Sequence, residues 1–299
     1  MHAIEIRGLT KTYGKARGVQ SIDLTVESGA FFGFIGPNGA GKSTTIRCLL
    51  GLLEPTAGEV RLFGQPVDRR SRAALLRRVG FMPGEAVFHS GLRVREVLQL
   101  SANLRGVDCT AEADALCQRL QLDRNKKIEA LSLGNRKKVS IVCALQHRPD
   151  LYIFDEPTSG LDPMMQRAFF ELLQERQAAG ATVFLSSHVL SEIQRHCTQA
   201  AIIREGRIIA CAPVETLART SARRVSLHGV SQAPDLPGIR DIRPLPDGVS
   251  FLYSGGLRPL TAALAALELT DLTITEPDLE EIFLHYYADP APTKGDLAL

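Results

Sequence analysis

GPNGAGKST, residues 36–44, is the stretch on which the reading of this chain turns. It fits G-x-x-x-x-G-K-[ST] and has the context that pattern requires, a strand-like FFGFI (31–35) before it and a helical stretch from Ser43 after it. Gly36, Gly39 and Gly41, with Pro37, Asn38 and Ala40 between them, let successive backbone N–H groups turn inward around a β-phosphate. The helix start adds its positive end. Lys42 then reaches the β- and γ-phosphates as a mobile point charge, Ser43 offers a hydroxyl to Mg²⁺, and Thr44 closes the pattern. A glycine turn at a helix start is the plainer alternative, but this context points to a nucleotide site in a parallel α/β sheet.

Working outward, LYIFDE (151–156) supplies a second half. An apolar strand ending in Asp155 delivers a carboxylate to the sheet edge, where it can hold Mg²⁺ directly or through water. Neighbours on a strand alternate sides, so Glu156 faces elsewhere and is free to orient or deprotonate an attacking water. These two elements alone leave kinases, GTPases and many ATPases open. Strand-like segments also lie near 3–9 and 20–27, and ATVFLS (181–186) is a continuous apolar run typical of a strand buried on both faces. A region over roughly 65–130 has more helical periodicity. A helix starts at Pro163 with Asp162 placed to cap it.

After about residue 218 the pattern changes. VSLHGV, IRDIRPL and GVSFLYS read as short strands, followed by a helix near 258–268, the strand LTDLTI and an amphipathic helix, PDLEEIFLHYY. The expected division is a nucleotide-binding domain over 1–218, a small α/β domain over 220–287 and a disordered tail over 288–299.

Composition narrows the function classes. A net charge of +2 gives no whole-chain electrostatic case for nucleic acid. The one basic cluster, Arg69, Arg70, Arg72, Arg77 and Arg78, reads as a solvated helix face, with anionic headgroups or an acidic partner as the alternative. Six cysteines form no CxxC pair and no metal spacing. The N-terminal stretch lacks the apolar core of a signal peptide. No apolar run approaches the ~20 residues needed to cross a bilayer. A reduced, cytoplasmic protein is expected, serving any membrane from outside the lipid.

Four further stretches decide between the open classes. LSLGNRKKVSIVCAL (131–145) precedes LYIFDE, EPTSGLDP (156–163) follows it directly, SSHVLSEI (186–193) comes after the next strand, and KTYGK (11–15) lies before the phosphate loop. With these the chain resembles the ATP-binding subunits of ATP-binding cassette (ABC) transporters, and among them the stand-alone cassettes of bacterial drug- and antibiotic-exporter type. The match covers roughly 1–218; EPDLEEIF (276–283) resembles the end of that exporter group more weakly. The resemblance implies an α/β P-loop cassette with a helical subdomain and a small C-terminal α/β domain, an ATPase with ATP and Mg²⁺ as cofactors. It implies a location on the cytoplasmic face of the membrane, below membrane-spanning subunits on a separate chain. A soluble cassette ATPase acting on ribosomes or nucleic acid is the rival; the single phosphate loop and absence of sustained heptads weigh against it.

The resemblance also implies residue roles. Tyr13 would stack on adenine. Ser132 and Gly134 match the signature that presents donors to the γ-phosphate of a second copy, so the active form is a head-to-tail homodimer. Asp162 would couple the two sites, and His188 would contact the γ-phosphate. The sequence departs from the family at Leu133, where glycine is commonest, and at Asn135, where glutamine is. It departs again at Gly84, where a Mg²⁺-contacting glutamine is usual. The next residue, Glu85, carries suitable chemistry one step along, with a solvated loop carboxylate as the plainer reading.

Overall fold

A computed structural model describes residues 1–14, 16–218 and 223–275, in two compact units that divide between Cys211 and Ala212. The first unit begins with β1 (His2–Tyr13), β2 (Ala16–Glu27) and β3 (Phe31–Ile35), then α1 (Lys42–Leu49). After it come β4 (Ala57–Leu62), β5 (Gln65–Pro66), α2 (Arg72–Leu76) and β6 (Val79–Met82). A helical stretch follows: α3 (Val94–Arg105), α4 (Thr110–Arg119) and α5 (Leu133–Leu145). The unit closes with β7 (Leu151–Asp155), α6 (Pro163–Ala178), β8 (Thr182–Ser187), α7 (Leu190–His196), β9 (Gln199–Arg204) and β10 (Arg207–Pro213).

Two sheets organise this unit. β2, β1, β4 and β5 form an antiparallel sheet, and the second runs β10-β9-β3-β8-β7-β6, parallel from β9 to β6. The central strands β3, β7 and β8 are buried at every position, which is why they read as continuous apolar runs instead of alternating ones. Ile46 and Leu49 of α1 join one core with Ile4, Ile6 and Leu9 of β1 and Phe32, Phe34 and Phe184 of the parallel sheet. Phe32 and Phe184 stack with ring centroids 5.8 Å apart. Phe154 meets Phe169 of α6 edge-to-face at 5.1 Å.

The five arginines around α2 are all exposed, as a solvated face requires, and three of them also bond within the unit. Arg69 pairs with Glu54 at 3.0 Å and Arg72 donates to the Gly51 carbonyl at 2.7 Å. Arg78 pairs with Asp150 at 2.6 Å and lies 3.9 Å from the Phe63 ring centroid. These three side chains tie the segment to its own unit. Past the end of α5, His147 accepts a hydrogen bond at Nε2 from Arg105 Nε at 3.0 Å. Burial, reinforced by the Arg105 charge, pulls its pKa down to about 4.

In the second unit, α8 (Val214–Ala218) precedes β11 (Arg223–His228), β12 (Ile239–Leu245), β13 (Gly248–Tyr253), α9 (Leu257–Leu264) and β14 (Asp271–Thr275). The sheet order is β12-β13-β11-β14, antiparallel throughout, with Val225, Leu227, Val249, Phe251, Leu260 and Leu264 in its core. Arg224 reaches back to Asp241 at 2.6 Å. The amphipathic helix expected at 277–287 and the tail at 288–299 lie outside the described residues. Among the described residues no helix is long and apolar enough to cross a membrane.

Candidate functional site

The order of the parallel sheet builds the site. β3, which leads into the phosphate loop, and β7, which ends in Asp155, are not neighbours; β8 lies between them. Ligands of such sheets bind beyond the carboxyl ends of the strands, and here three of those ends converge. The Gly36 N–H donates to the Ser187 carbonyl at 3.4 Å, which ties the exit of β3 to the exit of β8.

The loop over residues 36–41 is supported from the side of the β9–β10 turn. Gly206 N–H donates to the Ala40 carbonyl at 2.9 Å, and Gln20 N–H donates to the Gly206 carbonyl at 2.8 Å. Gly41 caps α1 in a left-handed conformation, φ 110°. A Cβ there would lie 2.6 Å from Val19 Cγ1, so glycine is required both for backbone shape and for space. Asn38 and Gly39 are exposed, Pro37, Ser43 and Thr44 half-buried, and Gly36 and Ala40 buried.

Lys42 is the buried charge at the centre, only 5% exposed. Its ammonium donates to the carbonyls of Gly36 at 2.6 Å and Pro37 at 3.1 Å, and lies 3.0 Å from Glu156 Oε1. Three protein oxygens surround it where phosphate oxygens would bind. A lysine can be buried only against such partners.

Asp155 is 7% exposed, and its Oδ1 accepts a hydrogen bond from Ser186 Oγ at 2.6 Å. The separation of Glu156 from Asp155 was expected from strand alternation; the structure achieves it by another route. β7 stops at Asp155, and Glu156 turns into the left-handed region at φ 52°. That conformation costs about 1–3 kcal/mol for a residue with a Cβ and persists only where surroundings impose it. Its N–H donates to both the carbonyl and the hydroxyl of Ser186 at 3.2 Å, and its carbonyl accepts from Lys137 Nζ at 3.2 Å. The Glu156 carboxylate then bridges Lys42 through Oε1 and His188 Nδ1 through Oε2. Since a carboxylate only accepts, Nδ1 carries the imidazole proton in this contact. Lys42, Glu156 and His188 thus form one continuous cluster, with Asp155 preceding Glu156 in the chain and bonded to Ser186.

The remaining candidates stand apart from it. Tyr13 is 42% exposed at the end of β1, with the Lys11 ammonium 5.7 Å from its ring centroid. Ser132 is the exposed N-cap of α5, its hydroxyl accepting from Asn135 N–H at 3.3 Å, and Leu133 beside it is 57% exposed. Gly134 is half-buried. Asp162 caps α6 by accepting from Met165 N–H at 3.0 Å. None of these four bonds to Lys42, Asp155 or Glu156.

The glycine departure is visible in space. A Cβ on Gly84 would lie 3.8 Å from Asp155 Oδ2, whereas the Glu85 side chain is exposed and forms no hydrogen bond or ion pair among the described residues. Asp155 Oδ2 makes no hydrogen bond among the described residues, which leaves it free for a cation. No group of three His, Cys, Asp or Glu side chains that could hold a metal occurs among the described residues. That donor set suits a Mg²⁺ ion bound by one carboxylate, a hydroxyl, water and phosphate oxygens, as opposed to one caged by protein alone.

Three contributors were not singled out in the sequence: Ser186, Gly206 and Lys137. Ser186 sits within the quoted SSHVLSEI stretch, next to residues already of interest. Lys137 had a signal too, as a lysine in line with the buried Ile141 and Ala144 on α5.

Comparison with known proteins agrees with this geometry. The family model described as "ABC transporter" matches residues 19–159. The bacitracin transport ATP-binding protein BcrA of Bacillus licheniformis is 33% identical over 298 residues, covering 94% of this chain and 96% of the relative. A Nod factor export ATP-binding protein I of Paraburkholderia xenovorans is 38% identical over 213 residues, covering 70% of each. Among solved structures, an ATP-binding subunit of an ABC transporter superposes with a TM-score of 0.68 at 32% identity, over 73% of this chain and 92% of that one. A dimeric bacterial ABC transporter cassette gives a TM-score of 0.65 at 25% identity, over 71% and 98%.

Proposed function

The chain belongs to the ATP-binding subunits of ABC transporters, an ATP-hydrolysing family, and from that membership we propose that it powers export by closing and reopening a head-to-tail pair of its own copies. The observation that carries this reading is the cluster at the strand ends, where Lys42 pairs with Glu156 beside the end of the strand that carries Asp155. Phosphoryl transfer to water needs positioning and charge neutralisation more than covalent chemistry. Lys42 exchanges its protein oxygens for the β- and γ-phosphates of ATP. The backbone N–H groups between Asn38 and Thr44 hold the phosphate chain, and Tyr13 stacks on adenine.

Glu156 accepts a proton from the attacking water, and His188 holds the γ-phosphate end of the site. Ser43 and Asp155 are placed to hold Mg²⁺, with Glu85 as a further ligand once its loop turns inward; the ion supplies charge neutralisation at the phosphates. The second copy contributes Ser132 and Gly134 to the γ-phosphate, and Asp162 lies at the junction.

The names of the curated relatives, one for bacitracin transport and one for Nod factor export, support export as the direction. The lack of any membrane-crossing helix among the described residues supports a separate membrane-spanning partner and a peripheral position on the cytoplasmic face. No feature of the site or charge favours nucleic acid as a partner. Replacing Lys42 by Ala tests the assignment of the loop. Turnover should fall by at least ~100-fold, and near-normal ATP hydrolysis would remove the loop from the mechanism.

A further inference from the structure

Helix α5 carries a second buried ammonium that the roles above leave unused. Lys137 is 3% exposed, and its Nζ donates to the Glu156 carbonyl at 3.2 Å. Desolvation pulls its pKa below the usual lysine range, while the charges of Glu156 and Asp155 oppose that shift. Burying a lysine here is unfavourable unless the contact it makes is needed. The same helix touches the segment after Glu156 a second time: a Cβ on Gly134 would lie 3.2 Å from the Gly160 carbonyl oxygen. Helix α5 therefore meets the segment 156–160 at both ends.

We propose that Lys137 is a positioning residue: by holding the Glu156 carbonyl it keeps that residue left-handed and aims its carboxylate at the phosphate loop. Ser186 accepts from the N–H of Glu156 and Lys137 donates to its carbonyl, so the residue is held through both of its flanking peptide groups. Lys137 and Ser132 are five residues apart on one helix, about 7.5 Å along its axis. A displacement of the Ser132 end on meeting a partner's phosphate is thereby transmitted to Glu156 of the same chain. The inference rests on the assignment of Glu156 to the attacking water.

The test compares full-length Lys137→Met, Lys137→Gln and Lys137→Arg with the unaltered chain and with Glu156→Gln, reading kcat, KM for ATP and the thermal midpoint. Met fills the space without donating a hydrogen bond; Gln and Arg retain a donor. Expected is a ten- to hundredfold loss of kcat in Lys137→Met, the size of a misplaced catalytic group. KM should stay unchanged, and the midpoint should shift by only a few degrees, since the desolvation cost of the buried charge is removed together with its hydrogen bond to Glu156. At least one of Gln and Arg should restore kcat to within about threefold of the unaltered chain. Unchanged kcat in Lys137→Met, a parallel loss of kcat and midpoint, or failure of both donors to restore turnover overturns the proposal. If instead Glu156→Gln hydrolyses ATP normally, the assignment of Glu156 falls, and the proposal with it.

Discussion

The Lys42 ammonium and the Glu156 carboxylate lie 3.0 Å apart, so the charge proposed to hold phosphate and the carboxylate proposed to act on water neutralise each other in this pair. On the proposed mechanism ATP would separate them, because its phosphates would take Lys42 and repel Glu156. The pair therefore links binding to catalysis. When Lys42 turns to phosphate, Glu156 is left beside His188 with an accepting oxygen available for water.

Ser132→Ala should separate the two faces of the machine. The hydroxyl caps α5, so its loss should lower stability by about 0.5–2 kcal/mol. Turnover should fall further, by tenfold or more, because the partner's γ-phosphate loses a donor. ATP affinity of a single chain, measured by titration at low protein concentration, should not change. A matching loss of single-chain affinity would place Ser132 in its own chain's site.

Glu85→Ala addresses the place where the sequence leaves the family pattern. If Glu85 swings inward to the cation, turnover should slow by one to two orders of magnitude, about 1.4–2.7 kcal/mol of barrier. Its Mg²⁺ dependence should weaken, and ATP affinity without Mg²⁺ should stay put. Unchanged turnover across a Mg²⁺ titration would remove Glu85 from the site and leave Gly84 as open space over Asp155.

His147 should make the first unit sensitive to acid. Its folded pKa of about 4 lies below the ordinary histidine value of 6.5, so between those values the unfolded chain binds a proton that the folded one does not. This contribution to stability is complete above about pH 6.5 and is lost progressively as pH falls toward 4. Denaturant titrations of His147→Gln should show a shallower loss across that window. An unaltered slope would mean that other groups dominate acid sensitivity.

Much of this was legible in the residues. The phosphate loop, the strand ending in Asp155 and the capped helix at Pro163 each announce themselves through local chemistry. The change of pattern was expected near residue 218, whereas the two compact units divide between Cys211 and Ala212. What stayed hidden depends on contacts distant in sequence. Nothing local says that β8 lies between β3 and β7, yet that order brings Ser186 to Asp155 and His188 to Glu156. The left-handed Glu156 bonds to Ser186 and Lys137, thirty and nineteen residues away. The support of Ala40 by Gly206 crosses more than half the chain.

The measurement that bears most directly on the ATP-driven pair is the mass and nucleotide content of full-length Glu156→Gln, by light scattering with and without Mg-ATP. Losing the carboxylate should stall hydrolysis and at the same time free Lys42 for phosphate. The expected result is a single chain without nucleotide and a two-chain species retaining unhydrolysed ATP with it, formed alone or beside the membrane subunit. A variant that hydrolyses ATP at the wild-type rate, or one that retains ATP yet never pairs in either setting, would contradict the account.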